Sequence, residues 1–272
     1  MPELPEVETT RRGLLPHLQG QRVENVVVRN RALRWPVPRD LSKHVSGREV
    51  QSVGRRGKYL LIGFANGSMI VHLGMSGSLR VVPASTPPGK HDHFDLVLAS
   101  GVAARLTDPR RFGAVLWESG NLQEHALLAK LAPEPLGDAF DAGWMHAQSR
   151  GRTAAIKSVV MDSHIVTGVG NIYASEALFR AGIHPGLAAG KVSMLRCEKL
   201  VAAIRETLAA AIEAGGSSLR DYVGAEGRPG YFQQNYFVYG RKGEPCRVCG
   251  TAIKALRQGQ RSTFFCPTCQ HR

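Results

Sequence analysis

Pro2 and Glu3, with Glu6 three positions further on, are the residues whose types and spacing best suit this chain to chemistry. An initiator Met followed by a small residue such as proline is normally removed, which leaves Pro2 with a secondary amine at the N-terminus. An α-amine titrates at about 7.7–8.0, against about 10.4 for lysine, so a useful fraction is nucleophilic near neutral pH. Attack on an aldehyde-level carbon gives an iminium ion, charged without an added proton and an electron sink for covalent catalysis. Spaced three apart on a helix, the carboxylates of Glu3 and Glu6 can face the same side as that amine. Proline also suits a first helical turn for conformational reasons alone, so the motif by itself leaves both readings open.

Four of the five cysteines carry the second signal. Cys246 and Cys249 form one CxxC pair, Cys266 and Cys269 another, with sixteen residues between the pairs. That spacing suits tetrahedral Zn–thiolate coordination, and four thiolates leave no open position for water or substrate. One structural Zn2+ is therefore expected, stiffening a small hairpin that carries Lys254, Arg257 and Arg261. Cys197 falls in an apolar helical stripe and reads as a small buried hydrophobe.

Other groupings are weaker. Gly168-Val169-Gly170-Asn171 opens a helical segment, where backbone N–H groups and the helix dipole suit a phosphate, although a tight packing turn would look the same. His91-Asp92-His93 has metal-ligand residue types but no further ligand nearby in sequence, and a surface polar contact is expected. Asp108 to Gly113 reads as a strand-to-strand turn displaying cationic and aromatic side chains, either a tip that enters a duplex or an ordinary connection. Met75 sits in Gly74-Met75-Ser76-Gly77, where a methionine is more often core than tip. There is no phosphate-binding G-x-x-x-x-G-K-[ST] loop, no G-x-S-x-G elbow and no H-E-x-x-H metal site.

The elements that must position these residues follow from pattern. A length of 272 residues with 43% hydrophobic and 21% charged content fits two globular domains. No apolar run reaches the length of a membrane span, and the acidic N-terminus lacks the form of a secretory signal. A soluble cytoplasmic protein is expected. The formal net charge of +13 points to a polyanionic partner, nucleic acid first. Residues 2–19 read as an amphipathic helix with Leu4, Val7, Leu14 and Leu18 on one face and Gly20 as its stop. Eight short β-rich runs follow, at 23–30, 49–56, 58–65, 68–75, 78–82, 93–99, 102–107 and 112–118, with Asn66-Gly67 as a hairpin signal. Helical periodicity returns at 142–149, 154–162, 171–181 and 193–214, the last with Met194, Cys197, Val201, Ile204 and Leu208 in one stripe. Ser217 to Gly230 is polar, glycine-containing and loop-like.

Together these segments resemble the formamidopyrimidine-DNA glycosylase family of bacterial repair enzymes. The matching stretches are Pro2 to Thr9, Lys58-Tyr59-Leu60, His72 to Leu79, His91-Asp92-His93, Asp108 to Gly113, Gly168 to Glu176, Val238-Tyr239-Gly240-Arg241 and the four cysteines. They run through the whole chain in the family's order, which is far more specific than any one motif. The resemblance implies an α+β fold in three parts: an N-terminal catalytic β-sandwich with a leading α-helix (1–134), a helix–two-turn–helix domain with a lesion-covering loop (135–237) and a C-terminal four-cysteine zinc finger (238–272).

It also implies a function: excision of 8-oxoguanine and formamidopyrimidines from double-stranded DNA by a monomer, with abasic-site lyase activity, at the nucleoid and away from membranes. In that reading Pro2 attacks the sugar, Glu3 donates a proton as the ring opens, and Glu6 orders the N-terminus or a water. Met75, Arg110 and Phe112 fill the space left by the extruded nucleotide, and Arg110 faces the orphaned cytosine. Lys58 and Arg261 serve the two eliminations. A guanidinium hardly deprotonates, so Arg261 fits a phosphate clamp better than a proton donor. His72, His91, Arg152, Asn171, Tyr239 and more weakly Lys157 contact DNA, while Ser217, Ser218 and Tyr222 lie in the loop over the lesion. Two other readings share features with this one. One is the sister class acting on oxidised pyrimidines, resembling endonuclease VIII; the other is a non-catalytic zinc-dependent DNA reader.

Overall fold

The structure, a computed structural model, describes residues 1–217 and 231–272. Ser218 and Tyr222, expected in the lesion-covering loop, lie outside the described residues. The chain divides into two compact units, Met1–Ala129 with Ala214–Tyr231, and Lys130–Glu213 with Phe232–Arg272.

The first unit begins with helix α1, Leu4–Leu18, whose Leu4, Val7, Leu14 and Leu18 are buried as the periodicity requires. It ends at Gln19, and Gly20 follows at φ +77°, a conformation glycine adopts without steric cost. Eight antiparallel strands then build two four-stranded sheets. Strands β1 (Val23–Val28), β6 (Asp92–Leu98), β7 (Val102–Thr107) and β5 (Ser78–Pro83) lie side by side in one. Strands β2 (Ser52–Arg56), β3 (Tyr59–Phe64), β4 (Gly67–His72) and β8 (Ala114–Glu118) form the other. Alternation along β3 buries Leu60, Ile62 and Phe64 while their neighbours are half-exposed, the mark of a strand with one face inward. Those residues share a core with Phe94, Leu96, Leu98 and Leu106 from the other sheet and with Val7, Leu14 and Leu18 of α1. The result is the expected β-sandwich with its leading helix.

Three local details differ from the sequence reading. A five-residue helix α2, Leu41–Val45, escapes periodicity because it is barely longer than one turn. The β3–β4 turn consists of Ala65 and Asn66, because Gly67 already pairs with Phe64. Gly67 is needed for close approach, since a Cβ there would stand 2.4 Å from the Glu118 carbonyl oxygen. Asp92 and His93 are buried, contrary to the expected surface contact. They open β6, an interior strand, where Asp92 accepts bonds from the Thr107 hydroxyl and the Gly89 N–H.

The second unit is helical, with α3 (Ala142–Ser149), α4 (Ile156–Val160), α5 (Asn171–Arg180) and α6 (Met194–Glu213), followed by a hairpin of β9 (Lys254–Gln258) and β10 (Arg261–Phe265). Cys197, Val201, Ile204 and Leu208 are buried along α6, but Met194 is 41% exposed, because the stripe starts only after the first turn. The finger has a core of its own, Val238, Cys246, Ile253 and Cys266, into which Phe179 of α5 inserts. Among the described residues no helix is long and apolar enough to cross a membrane.

Candidate functional site

In the first unit, the chain enters α1 through Pro2 and Glu3, both buried. Glu3 is the N-cap, and Glu3 and Glu6 form a reciprocal capping box. The Glu3 N–H donates to Glu6 Oε2 at 2.8 Å, and the other oxygen, Oε1, accepts the Ser217 N–H at 2.8 Å. One carboxylate, 2% exposed, thus ties the start of the helix to Ser217. Gly216, at φ +80°, makes room for it, since a Cβ there would lie 3.1 Å from Glu6 Oε1.

Glu8 and Arg55 are positioning residues that sequence reasoning missed. Glu8 binds Arg11 at 2.8 Å, Arg12 at 3.0 Å and Arg55 at 3.1 Å. Burial alone would raise its pKa, but the three guanidinium groups outweigh it and hold the carboxyl at about 2. Arg55 also donates to the Gly57 carbonyl at 2.9 Å, anchoring to α1 the β2–β3 turn that carries half-buried Lys58. The helical Glu8–Arg11 and Glu8–Arg12 spacings are visible in sequence; the partner 47 residues away is not.

His72 ends β4 opposite Tyr59, their rings 4.9 Å apart. Its Nδ1 accepts the Gly74 N–H at 3.0 Å, so the neutral ring carries its proton on Nε2 and can donate there. Burial, then the charges of Lys58 and Arg34, push its pKa down to about 4. Arg34 belongs to this cationic group and was also missed. The unfolded chain takes up the His72 proton first as pH falls. The ring therefore supports folding above about pH 6.5 and withdraws that support as pH drops towards 4. NMR of the free protein should show the His72 ring untitrated between pH 5 and 8; a midpoint near 6.5 would refute a buried neutral donor.

Two loops at the same end of the sandwich carry Met75 (41% exposed) and Phe112 (44% exposed). Arg110 is exposed, with its guanidinium 4.9 Å over the Phe112 ring. An exposed Met and Phe held on glycine-bounded turns are apolar tips, not core. His91 is half-buried beside His93, ring to ring at 6.3 Å.

In the second unit, α5 starts at Asn171 directly after Gly168 (φ +80°) and Gly170. Lys157, 2% exposed, donates from Nζ to Asn171 Oδ1 at 2.6 Å, Thr263 Oγ1 at 2.7 Å and the Ser262 carbonyl at 3.3 Å. Its ammonium is thus engaged with α5 and β10, unlike a surface phosphate contact. Asn171 Nδ2 reaches the Tyr239 hydroxyl at 3.4 Å. Glu176, fully buried on α5, accepts the N–H groups of Phe237, Val238 and Tyr239 at 2.8–3.0 Å, fixing the backbone that bears Tyr239. Burial still raises its pKa against those three bonds. Arg261 is exposed at the tip of the hairpin, beside a cavity of about 290 Å³ lined also by Lys157, Met161 and Gln258. Arg152 is exposed and donates to the Gln148 carbonyl.

The four cysteines converge as their spacing predicts. All four Sγ atoms lie within 4.8 Å of one another, with Cys249–Cys266 at 3.5 Å and Cys246–Cys269 at 3.9 Å. A tetrahedron of Zn–S bonds of about 2.3 Å has sulfur–sulfur edges of roughly 3.8 Å, whereas a disulfide would need about 2.05 Å. N–H groups of Val248 and Cys269 point at the sulfurs of Cys246 and Cys266, as thiolates require. The chemistry of four clustered thiolates fits one structural zinc ion.

Comparison with known proteins agrees with this geometry. Residues 1–115 match the formamidopyrimidine-DNA glycosylase N-terminal domain, 131–223 the H2TH domain of the same enzymes, and 243–272 the zinc finger found in FPG and IleRS. A formamidopyrimidine-DNA glycosylase of Janthinobacterium sp. (strain Marseille) is 58% identical over 273 residues, covering 99% of this chain and all of that one. The crystal structure of the MutM (Fpg) protein from Thermus thermophilus superposes with a TM-score of 0.89 at 39% identity, covering 99% of this chain and 98% of the other. The Lactococcus lactis Fpg (MutM), in complex with DNA containing Fapy-dG, superposes at 0.91 with 33% identity, covering 99% of this chain and all of that one.

Proposed function

From the premise that this chain belongs to the formamidopyrimidine-DNA glycosylase family, we propose that it excises oxidised purines from duplex DNA and cuts the strand at the resulting abasic site. The observation that carries the reading is the start of α1. There a proline precedes a buried Glu3–Glu6 capping box joined to Ser217, in a chain whose basic finger has a zinc site. A DNA reader needs the finger but has no use for that N-terminus.

The proposed chemistry begins with extrusion, because C1′ is inaccessible inside the stack. Met75, Arg110 and Phe112 enter the vacated space; apolar tips offset lost stacking, and Arg110 offers donors to the widowed cytosine. With Met1 removed, the Pro2 nitrogen attacks C1′ and the C1′–N bond to the base breaks; its electrons leave with the base, which takes up the proton that the Pro2 nitrogen sheds. Glu3 gives a proton to the ring oxygen as the C1′–O4′ bond opens, leaving an iminium. That cation acidifies C2′–H; β-elimination then breaks the 3′ C–O bond and δ-elimination the 5′ one. Water then hydrolyses the iminium, releasing the unsaturated sugar fragment as an aldehyde and regenerating the Pro2 amine, and a one-nucleotide gap with a phosphate at each end remains. Lys58 supplies a proton near the first departure. Arg261 stabilises charge on a leaving phosphate through fixed donors.

His72, Asn171 and Tyr239, with Arg152 and His91, hold backbone phosphates and carry no sequence preference. His72 does so as a neutral donor. Lys157 acts one step back, by orienting Asn171. Ser217 roots the segment that covers the lesion. The working division is 1–134 for catalysis, 135–237 for duplex contact and lesion cover, and 238–272 for the finger. Binding to DNA places the protein at the nucleoid.

The decisive experiment offers the protein 8-oxoguanine:cytosine and thymine-glycol duplexes with borohydride present. A covalent adduct through Pro2, formed faster on the first duplex, is expected. Preference for thymine glycol would favour the oxidised-pyrimidine class, and specific binding with neither adduct nor cleavage would favour the reader.

A further inference from the structure

Asp108 is the least exposed carboxylate beside the exposed tips, at 0%, and neither the nucleophile nor any phosphate contact uses it. Its Oδ2 accepts the Gly113 N–H at 2.7 Å, and its Oδ1 the Arg110 N–H at 3.3 Å and the Ser76 hydroxyl at 3.5 Å. Its backbone is held as firmly: the N–H donates to the His91 carbonyl at 2.9 Å, and the carbonyl accepts His93 Nε2–H at 2.9 Å and the Arg111 N–H at 3.2 Å. The carboxylate bonds fall at both ends of the Arg110–Phe112 loop and, through Ser76, on the loop that bears Met75.

The two loops also meet backbone to backbone. A Cβ on Gly74, which sits at φ +67°, would lie 2.5 Å from the Gly113 nitrogen and from the Phe112 carbonyl carbon. A Cβ on Gly113 would lie 2.8 Å from the His72 carbonyl oxygen and 3.0 Å from Asp108 Oδ2. Arg111, between Arg110 and Phe112, is the one non-glycine residue with positive φ among the described residues, at +56°. A backbone forced into that region persists only where its surroundings over-determine it, and the Asp108 carbonyl bonded to the Arg111 N–H is part of that restraint.

We propose that Asp108 is a positioning residue that locks the Met75 loop and the Arg110–Phe112 loop into one rigid wedge, so that base extrusion depends on its carboxylate. This rests on the assignment of Met75, Arg110 and Phe112 as the residues that enter the duplex. Loose tips would lose conformational entropy at the moment of insertion, whereas locked ones have lost it on folding. The effect falls on unstacking a base, a step that a pre-formed abasic site largely escapes because no base has to be flipped.

The test compares Asp108→Asn, Ser76→Ala and Phe112→Ala in the full-length zinc-loaded protein. Each is assayed on an 8-oxoguanine duplex, on a pre-formed abasic duplex, and by fluorescence of a 2-aminopurine beside the lesion. Asn keeps the shape of Asp but sets an NH2 or one weaker acceptor against the donors. Ser76→Ala removes only the bond between loops and guards against misfolding of the first variant. Expected for Asp108→Asn is extrusion and excision slowed about tenfold or more, with abasic cleavage changed roughly threefold at most, and for Ser76→Ala a smaller loss of the same kind. Equal losses on both duplexes would overturn the inference, as would wild-type extrusion in both variants while Phe112→Ala is slow. Wild-type extrusion in Phe112→Ala would instead overturn the wedge assignment itself.

Discussion

Strand cleavage at an oxidised purine should fall by about a thousandfold or more when the N-terminus is blocked by a tag or by retained Met1, while duplex affinity changes only a few-fold. With Met1 attached, the Pro2 nitrogen is an amide whose lone pair is delocalised into the carbonyl and cannot attack carbon. The blocked protein keeps the capping box and the Glu6–Ser217 bond, because these use backbone groups beyond Pro2. The comparison therefore separates chemistry from fold. Mass spectrometry of the two preparations, gel assays of cleavage and anisotropy of binding measure the three quantities. Undiminished cleavage by the blocked form would remove Pro2 from the mechanism, and cleavage and affinity lost in parallel would make the N-terminus a binding element.

Removal of zinc is expected to act through binding instead of chemistry. The finger offers only a small cluster around Val238, Ile253 and the cysteines, together with Phe179 and Phe264, too little to order some thirty residues unaided. Structural zinc contributes on the order of 10–16 kcal/mol to such modules. Chelation, or Cys249→Ser, should disorder β9 and β10, release Arg261 and the Thr263 partner of Lys157, and weaken duplex binding about a hundredfold or more. Circular dichroism should still report helices α3 to α6, and added zinc should restore binding to the chelated wild type. Binding unchanged after verified metal loss would sever the finger from DNA contact.

How much of this is legible in the sequence depends on the range of each interaction. The eight strands of the sandwich, helix α1 and the four helices α3 to α6 follow from local alternation and periodicity, and the zinc site from spacing within 24 residues. Glu6 is recognisable as a neighbour of the N-terminal amine because it lies three residues from Glu3, on the same helix face. Its bond to Ser217, 211 positions away, is not. Asp92 and His93 are misplaced by sequence reasoning for the same reason: whether the first residues of β6 face water depends on β1 and β7 flanking that strand. Lys157 reads as one more surface cation, because nothing local says that α5 and β10 close over its ammonium. Arg34, Arg55 and Asp108 carry no motif of their own role; they matter through neighbours that only the fold supplies.

Phe179 projects from α5 into the core of the finger, and the same helix begins at Asn171. Oxidants that damage guanine also attack thiolates, converting them to sulfenic acid or disulfide. A repair protein with this architecture carries its own vulnerability to the stress it answers. Loss of the cysteine cage would strip cover from Phe179 on the helix that presents Asn171, so oxidation of the finger would weaken the grip on DNA until reductant and metal return.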